Sequence, residues 1–193
     1  LGDVLKVAPG VDVERLAAHT KAIKVGDPFD PASQLGPIVS KRQMERVMHY
    51  MDVGREDGAH LAAGGERLGG DLADGYFVAP TVFSKVNNHM RIAREEIFGP
   101  VASVIPFDTV EEALKIANDT EYGLASAVWT TNVGTMMQAM HGIKAGRLWV
   151  NSYGVGDPAV GSGGTKQSGY GVKGGAQHLE GFLYEKSVYI NHD

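Results

Sequence analysis

Segments of two kinds alternate along the second half of the chain. Residues 101–107, 125–130 and 147–151 are rich in the β-branched, aromatic and other apolar residues typical of strands. Helical periodicity lies between them, first after Thr109 and again over residues 132–143. An order of strand, helix, strand, helix, strand is typical of right-handed crossovers on a parallel sheet, so the sequence predicts an α/β fold.

A long helix is predicted over residues 40–58. Ser40 can cap its first turn, and Gln43 follows at the spacing of a capping box. Methionine and valine then recur at the spacing of a buried helical stripe. Gly58 can end the helix, because glycine readily adopts the left-handed conformation that follows many helices.

Three shorter elements complete the predicted secondary structure. Residues 12–23 have the pattern of a short amphipathic helix, which a loop containing two prolines ends. Residues 76–83 have the composition of a strand, and residues 187–190 that of a short final strand.

Composition excludes several classes of function. The net charge is −5 with scattered basic residues, which argues against a nucleic-acid partner. The chain has 0 cysteines, so it has no disulfide, no thiolate metal ligand and no cysteine nucleophile. The 7 histidines show no ligand spacing, so no metal site is predicted. No apolar stretch reaches the roughly 18 residues of a membrane span, and no signal-peptide pattern begins the chain, so we expect no membrane partner and a cytoplasmic location.

Parallel sheets carry functional residues in loops at the carboxyl ends of strands. The loop after Asn151 fits that description, and residues 94–100 form a second candidate segment between two strands. Glu95 and Glu96 are adjacent there and precede Ile-Phe-Gly-Pro. A carboxylate, an aromatic ring and a rigid turn could hold a ribose and a flat ring, although adjacent acidic residues are more commonly solvated surface.

The chain resembles the aldehyde dehydrogenase superfamily in a series of motifs that occur in the family's order. They are residues 25–31 (VGDPFDP), 35–37 (LGP), 75–82 (GYFVAPTV), 95–101 (EEIFGPV), 118–125 (NDTEYGLA), 149–151 (WVN) and 166–169 (KQSG). In that family a cysteine attacks the aldehyde, a glutamate acts as general base, and hydride passes to NAD or NADP.

The resemblance implies a particular part of such an enzyme. The family's cysteine, base glutamate and dinucleotide-binding domain precede the stretch that is similar to this chain. Residues 1–186 would therefore form a partial, parallel-sheet catalytic domain that lacks the dinucleotide-binding domain, and residues 187–193 an oligomerisation strand. No catalytic residue is assigned, and the chain alone is expected to be inactive and to bind NAD or NADP weakly or not at all.

The resemblance also implies cofactor contacts. Glu96 would hold the hydroxyls of the nicotinamide ribose through its carboxylate, and Phe98 would pack near the nicotinamide. Gln43 and Arg46, on the predicted long helix, would lie towards the same cofactor.

Two residues would lie on the substrate side. Asn151 would end a strand beside the substrate entrance, and Tyr153 would open the loop that shapes it; for Asn151, a purely structural strand-end cap is an equal alternative. The chain departs from the family at residues 161–164, which are GSGG where PFGG is usual, and at residues 168–173, which lack the usual Arg-Glu pair. Both departures predict a less preorganised substrate loop.

Three functions remain open from the sequence. The chain is expected to be a piece of a longer NAD(P)-dependent aldehyde dehydrogenase that forms homo-oligomers through residues 187–190. The alternatives are a non-catalytic assembly module that pairs with full-length subunits, and a truncated gene product without activity. The sequence gives neither the particular aldehyde nor the choice between NAD and NADP.

Overall fold

A computed structural model describes residues 2–7 and 12–193 of the chain. The chain divides into two compact units, Leu1–Ile116 and Ala117–Asp193. Residues 1 and 8–11, which belong to the predicted partial catalytic domain, lie outside the described residues. The predicted division at residue 187 stays a prediction.

The two units contain eight strands, six α-helices and one turn of 3₁₀ helix over the described ranges 2–7 and 12–193. The strands are β1 (Gly2–Val7), β2 (His60–Ala63), β3 (Thr81–Ser84), β4 (Val101–Pro106), β5 (Tyr122–Gly123), β6 (Ser126–Val128), β7 (Leu148–Val150) and β8 (Thr165–Lys166). The helices are α1 (Val13–Lys21), α2 (Lys41–Glu56), α3 (Arg91–Arg94), α4 (Val110–Asn118), α5 (Val133–Gly142) and α6 (Gln177–Glu180), with the 3₁₀ turn at Gly70–Leu72.

The first unit contains a four-stranded sheet in the order β1-β4-β3-β2. Strands β1 and β3 both run parallel to β4, whereas β2 runs antiparallel to β3. The predicted α/β fold with a parallel sheet is therefore confirmed, with one antiparallel edge strand added to it.

Strand β3 is covered on both of its faces. All four of its residues are buried, and successive side chains enter different clusters. Phe83 packs with Val47 and Met51 of α2, while Val82 packs with Ala17 of α1. Because side chains alternate across a strand, α2 and α1 must cover opposite faces of this sheet.

Helix α2 follows its predicted boundaries closely. The Ser40 hydroxyl accepts a hydrogen bond from the Gln43 amide at 3.2 Å, and Gly58 has the predicted positive φ, at 89°. The capping box is only half formed, however. The side chain of Gln43 turns to another part of the chain instead of returning to Ser40, as described below.

The second unit contains two small sheets. Strands β6 and β7 pair in parallel, and β5 pairs antiparallel with β8. The predicted strands over residues 125–130 and 147–151 are confirmed in shorter form, and helix α5 lies between them. Asn132 caps α5 by accepting a hydrogen bond from the Thr135 amide at 2.9 Å.

Two predicted strands differ from the structure. Within residues 76–83 only the last three belong to β3; Val78 makes just an isolated bridge to Arg67, and Pro80 has no N–H to donate. Residues 187–190 pair with no described strand and are exposed. A strand exists only with a hydrogen-bonded partner, so composition alone was insufficient there.

No helix among the described residues is long and apolar enough to cross a membrane.

Candidate cofactor-binding site

The segment that joins α3 to β4 turns one side chain outward between two inward positions. Ile97 is buried in the core cluster, and Gly99 lies so close to α2 that an added Cβ would be 2.5 Å from Val47 Cγ2. Phe98, between them, has a φ of 59° and is 55% exposed. The left-handed backbone at Phe98 therefore presents an aromatic ring to solvent from a segment whose neighbours are fixed.

Gln43 holds this segment from the first turn of α2. Its side-chain nitrogen donates to the carbonyl oxygens of Ile97, at 2.9 Å, and of Phe98, at 3.0 Å. These two bonds stabilise a backbone conformation that non-glycine residues adopt at a cost of roughly 1–2 kcal/mol. They also explain why the Gln43 side chain does not complete the capping box.

Arg46 holds the same segment one turn further along α2. Its Nη2 donates to the carbonyl oxygen of Glu96 at 2.8 Å and to the Tyr50 hydroxyl at 3.2 Å. The Tyr50 hydroxyl in turn donates to Glu95 Oε2 at 2.5 Å. Sequence reasoning missed Tyr50; its position four residues after Arg46 was the available signal, because such residues are neighbours on a helix.

The Glu96 carboxylate differs from its neighbour. Both residues are exposed, but the Glu95 carboxylate accepts the Tyr50 hydroxyl, whereas the Glu96 carboxylate accepts no hydrogen bond from any described residue. Only the backbone carbonyl of Glu96 is bound, by Arg46. The four residues expected at the cofactor thus lie together in one unit. Gln43 and Arg46 contact the main chain of the segment, and the Glu96 carboxylate and the Phe98 ring are left available.

A shallow pocket of about 440 Å³ opens beside this segment at the start of α2. It is lined by Val39, Ser40, Arg42, Gln43 and Arg46. Two of its five lining residues are therefore the ones that fix residues 96–98.

The start of α3, which leads into the segment, is fixed to the end of α2 by charge. Asp57 accepts a hydrogen bond from the backbone N–H of Arg91 at 2.7 Å and from the guanidinium at 2.8 Å, while Glu56 accepts a third at 3.1 Å. Hydrogen bonds from Arg91 hold the pKa of Asp57 below its usual value, against the opposing effect of desolvation. The same bonds raise the pKa of Arg91.

In the second unit, Asn151 joins two strand ends. Its Oδ1 accepts from the Thr130 amide at 2.9 Å, and its Nδ2 donates to the Thr130 carbonyl at 3.0 Å. Its φ is 51°, so the chain turns sharply at the end of β7. This geometry matches the structural alternative, a strand-end cap, and the substrate role stays untested.

Tyr153 lies in the loop that follows. It is 58% exposed, and its ring centroid is 5.0 Å from that of Trp149, tilted by 52°. Trp149 Nε1 donates to the Val155 carbonyl at 2.7 Å, which fixes the indole against this loop. The ring of Tyr153 is therefore supported on one side and open on the other.

The KQSG motif has a structural explanation in this unit. Lys166 Nζ donates to the carbonyl oxygens of Asn118 and Thr120, each at 3.0 Å, and Ser168 Oγ accepts from the Gly123 amide at 3.0 Å. The glycines that precede it pack tightly, since a Cβ on Gly163 would be 2.0 Å from the Gly171 carbonyl oxygen. Close backbone packing thus occurs in the stretch where the departure from PFGG predicted a less preorganised loop.

Among the residues described, no group of three or more His, Cys, Asp or Glu side chains is arranged to hold a metal ion.

Comparison with known proteins identifies the family. The chain matches the aldehyde dehydrogenase family over residues 11–188. It is 45% identical over 183 residues to an aldehyde dehydrogenase of Rhodospirillum rubrum, covering 94% of this chain and 36% of that protein. It is 46% identical over 180 residues to a betaine aldehyde dehydrogenase of Mesorhizobium japonicum, covering 92% and 37% respectively.

A solved structure agrees with this result. The betaine aldehyde dehydrogenase of Staphylococcus aureus in complex with NAD⁺ superposes with a TM-score of 0.92 at 36% identity, covering 94% of this chain and 37% of that one. The chain therefore spans little more than a third of the length of the relatives that it matches. Because the family match extends over nearly all of it, this chain belongs to the aldehyde dehydrogenase family.

Proposed function

We propose that the chain is the C-terminal part of the catalytic domain of an NAD(P)-dependent aldehyde dehydrogenase, which oxidises an aldehyde to a carboxylic acid. The observation that carries this proposal is the segment at residues 95–99. It offers one unpaired carboxylate and one exposed ring, and α2 fixes the backbone of both.

The chemistry of these two groups suits the nicotinamide end of the cofactor. The two hydroxyls of a ribose donate hydrogen bonds, and an ionised carboxylate such as that of Glu96 accepts them. The exposed ring of Phe98 provides a flat apolar surface against which a nicotinamide can pack. Gln43 and Arg46 then act through the backbone, by fixing the positions of the carboxylate and the ring relative to each other.

The cofactor, when bound, accepts the hydride that leaves the aldehyde carbon. This chain supplies no thiol nucleophile, because it contains 0 cysteines. We therefore assign it no catalytic residue, and expect it to be inactive alone and to bind NAD or NADP weakly or not at all. The NAD⁺ complex of the Staphylococcus aureus relative supports the cofactor class and leaves the choice between NAD and NADP open.

On the substrate side, Asn151 and Tyr153 are proposed to act differently. Both the oxygen and the nitrogen of the Asn151 side-chain amide are hydrogen-bonded to Thr130, so Asn151 would set where the loop after β7 begins. Tyr153, with its open ring face, would contact the aldehyde.

Assembly is the second candidate function, and a specific observation favours it. Residues 187–190 are exposed and lack a paired strand among the described residues, and Val188, Tyr189 and Ile190 are 66%, 94% and 71% exposed. An exposed apolar segment with unpaired backbone groups can become a strand by pairing with another chain. Homo-oligomers, or association with full-length subunits as a non-catalytic module, would both use this segment. The expected cytoplasmic location remains a prediction.

A chimera tests the enzymatic proposal. This chain would replace the matching stretch of the Rhodospirillum rubrum relative, and aldehyde-dependent NAD⁺ reduction would be measured. We expect activity, and we expect Glu96→Gln to raise the KM for NAD⁺ about tenfold, since hydrogen bonds to a charged group are worth about 1.5–3 kcal/mol. Glu111→Gln, at an exposed carboxylate on α4, is the control. Equal KM values in both variants would contradict the proposal.

A further inference from the structure

We propose that Tyr50 is a positioning residue that determines which of two adjacent carboxylates is free to bind a ligand. It engages Glu95 and so leaves Glu96 available. What Glu96 then binds rests on the function proposed above, but the selection between the two carboxylates is a property of this chain alone.

The hydroxyl of Tyr50 has a fixed position. Tyr50 is only 5% exposed and belongs to the core cluster together with Val47 and Met51 of the same helix. Packing of the ring therefore fixes the point at which the hydroxyl emerges. From there it donates to Glu95 Oε2 at 2.5 Å, within the range of about 2.5–2.7 Å that is typical of a charge-assisted O–H···O⁻ bond.

Arg46 connects Tyr50 to the second glutamate. Its Nη2 donates both to the Tyr50 hydroxyl, at 3.2 Å, and to the Glu96 carbonyl, at 2.8 Å. Its Cζ also lies 5.0 Å from the centroid of the Tyr50 ring, a cation–π distance. The guanidinium thus binds the main chain of Glu96 and leaves its carboxylate unneutralised by a direct contact.

The two carboxylates differ in their hydrogen bonds. Glu95 follows α3 directly, with φ −102° and ψ 143°, and its carboxylate accepts the Tyr50 hydroxyl. The next residue, Glu96, is bound only through its main chain, by Arg46. Both residues are exposed, so without the hydroxyl neither carboxylate would be held by Tyr50, and the segment would present two competing anionic groups.

Carboxylate labelling on the purified chain tests this selection. A water-soluble carbodiimide with an amine nucleophile modifies free carboxylates, and fragment-ion mass spectrometry of the peptide after Arg94 distinguishes Glu95 from Glu96. We expect Glu96 to react about tenfold faster than Glu95, as a charge-assisted hydrogen bond predicts. Tyr50→Phe keeps the ring and should bring the two rates close to equality.

The matched control is Met51→Leu, which changes a fully buried side chain of the same helix and should leave the ratio unchanged. Equal rates in the unmodified chain would overturn the proposal without any variant, and so would an unchanged ratio in folded Tyr50→Phe. The labelling requires no cofactor. A chimera that fails to use NAD⁺ would therefore contradict the proposed function while leaving this result to be judged separately.

Discussion

The side-chain amide of Gln43 donates to the carbonyl oxygen of Phe98 at 3.0 Å, across 55 positions of sequence. This bond joins the first turn of α2 to a residue in the left-handed conformation. A residue in the first turn of a helix thereby holds a loop that presents an aromatic ring.

Replacing Gln43 with alanine should release that loop. Two hydrogen bonds to backbone carbonyls are lost, so we expect the free energy of unfolding to fall by about 1–2 kcal/mol. Urea unfolding followed by circular dichroism measures it. Glu45→Ala, at an exposed position of the same helix, is the control and should change stability by less than about 0.5 kcal/mol. Equal stability of the two variants would mean that the Gln43 contacts contribute nothing.

Gly99→Ala should also disturb the segment, for a steric reason. The new methyl group would lie 2.5 Å from Val47 Cγ2, so the segment or α2 must move. Overpacking of this kind costs about 1–3 kcal/mol. Combining it with Val47→Ala should give a smaller loss of stability than the sum of the two single changes, and thermal or urea unfolding of all three variants checks this. Simple additivity would show that the two positions are not in contact.

The contact between Asp57 and Arg91 predicts a pH dependence of stability. Because the pKa of Asp57 is lowered in the folded chain, its carboxylate stabilises the fold above its unfolded pKa of about 3.9. That contribution should be lost as the pH falls through the lower, folded pKa. Urea unfolding from pH 7 down to pH 3 should show Asp57→Asn to be less stable above pH 4, with the difference shrinking in more acidic solution. Asp74→Asn is the control, and a difference independent of pH would contradict the assignment.

The isolated chain is expected to have no catalytic activity, because the nucleophile of the family is a cysteine and this sequence has none. The purified chain should reduce neither NAD⁺ nor NADP⁺ with any aldehyde, as followed by cofactor absorbance. The active chimera serves as the positive control. Turnover that survives stringent removal of host dehydrogenases would show that this expectation is wrong.

Association through the last residues should be measurable by light scattering. We expect the intact chain to form a dimer or larger oligomer and a version ending at Lys186 to be smaller, because residues 187–190 offer unpaired backbone groups and apolar side chains. If both versions run as monomers at equal concentration, strand exchange at this position does not occur.

Local signals in the sequence were sufficient for the four longer helices, α1, α2, α4 and α5, but the single-turn helices α3 and α6 were not predicted. Ser40 and Gly58 bracket α2, because a cap and a left-handed stop depend on only a few neighbouring residues. The strands were less well predicted. Strand β1 was missed. Residues 76–80 were assigned to a strand, although among them only Val78 makes a β-bridge. Both errors arise because pairing partners are distant in sequence.

The candidate site was only partly predictable for the same reason. The resemblance named Gln43, Arg46, Glu96 and Phe98, and the structure brings them together. It did not indicate that Gln43 and Arg46 bind backbone carbonyls, or that Tyr50 binds Glu95. Each of these contacts joins positions more than forty residues apart, and such contacts depend on how α2 packs beside the segment.

Glu96 divides its roles between two sets of atoms. Its main chain is anchored to Arg46, whereas its carboxylate accepts no hydrogen bond from any described residue. Folding and the proposed ligand contact are therefore carried by different parts of one residue. Substitutions of the Glu96 side chain should therefore keep the hydrogen bond from Arg46 to its main chain, so that the loss of a ligand contact can be measured in a chain that still folds.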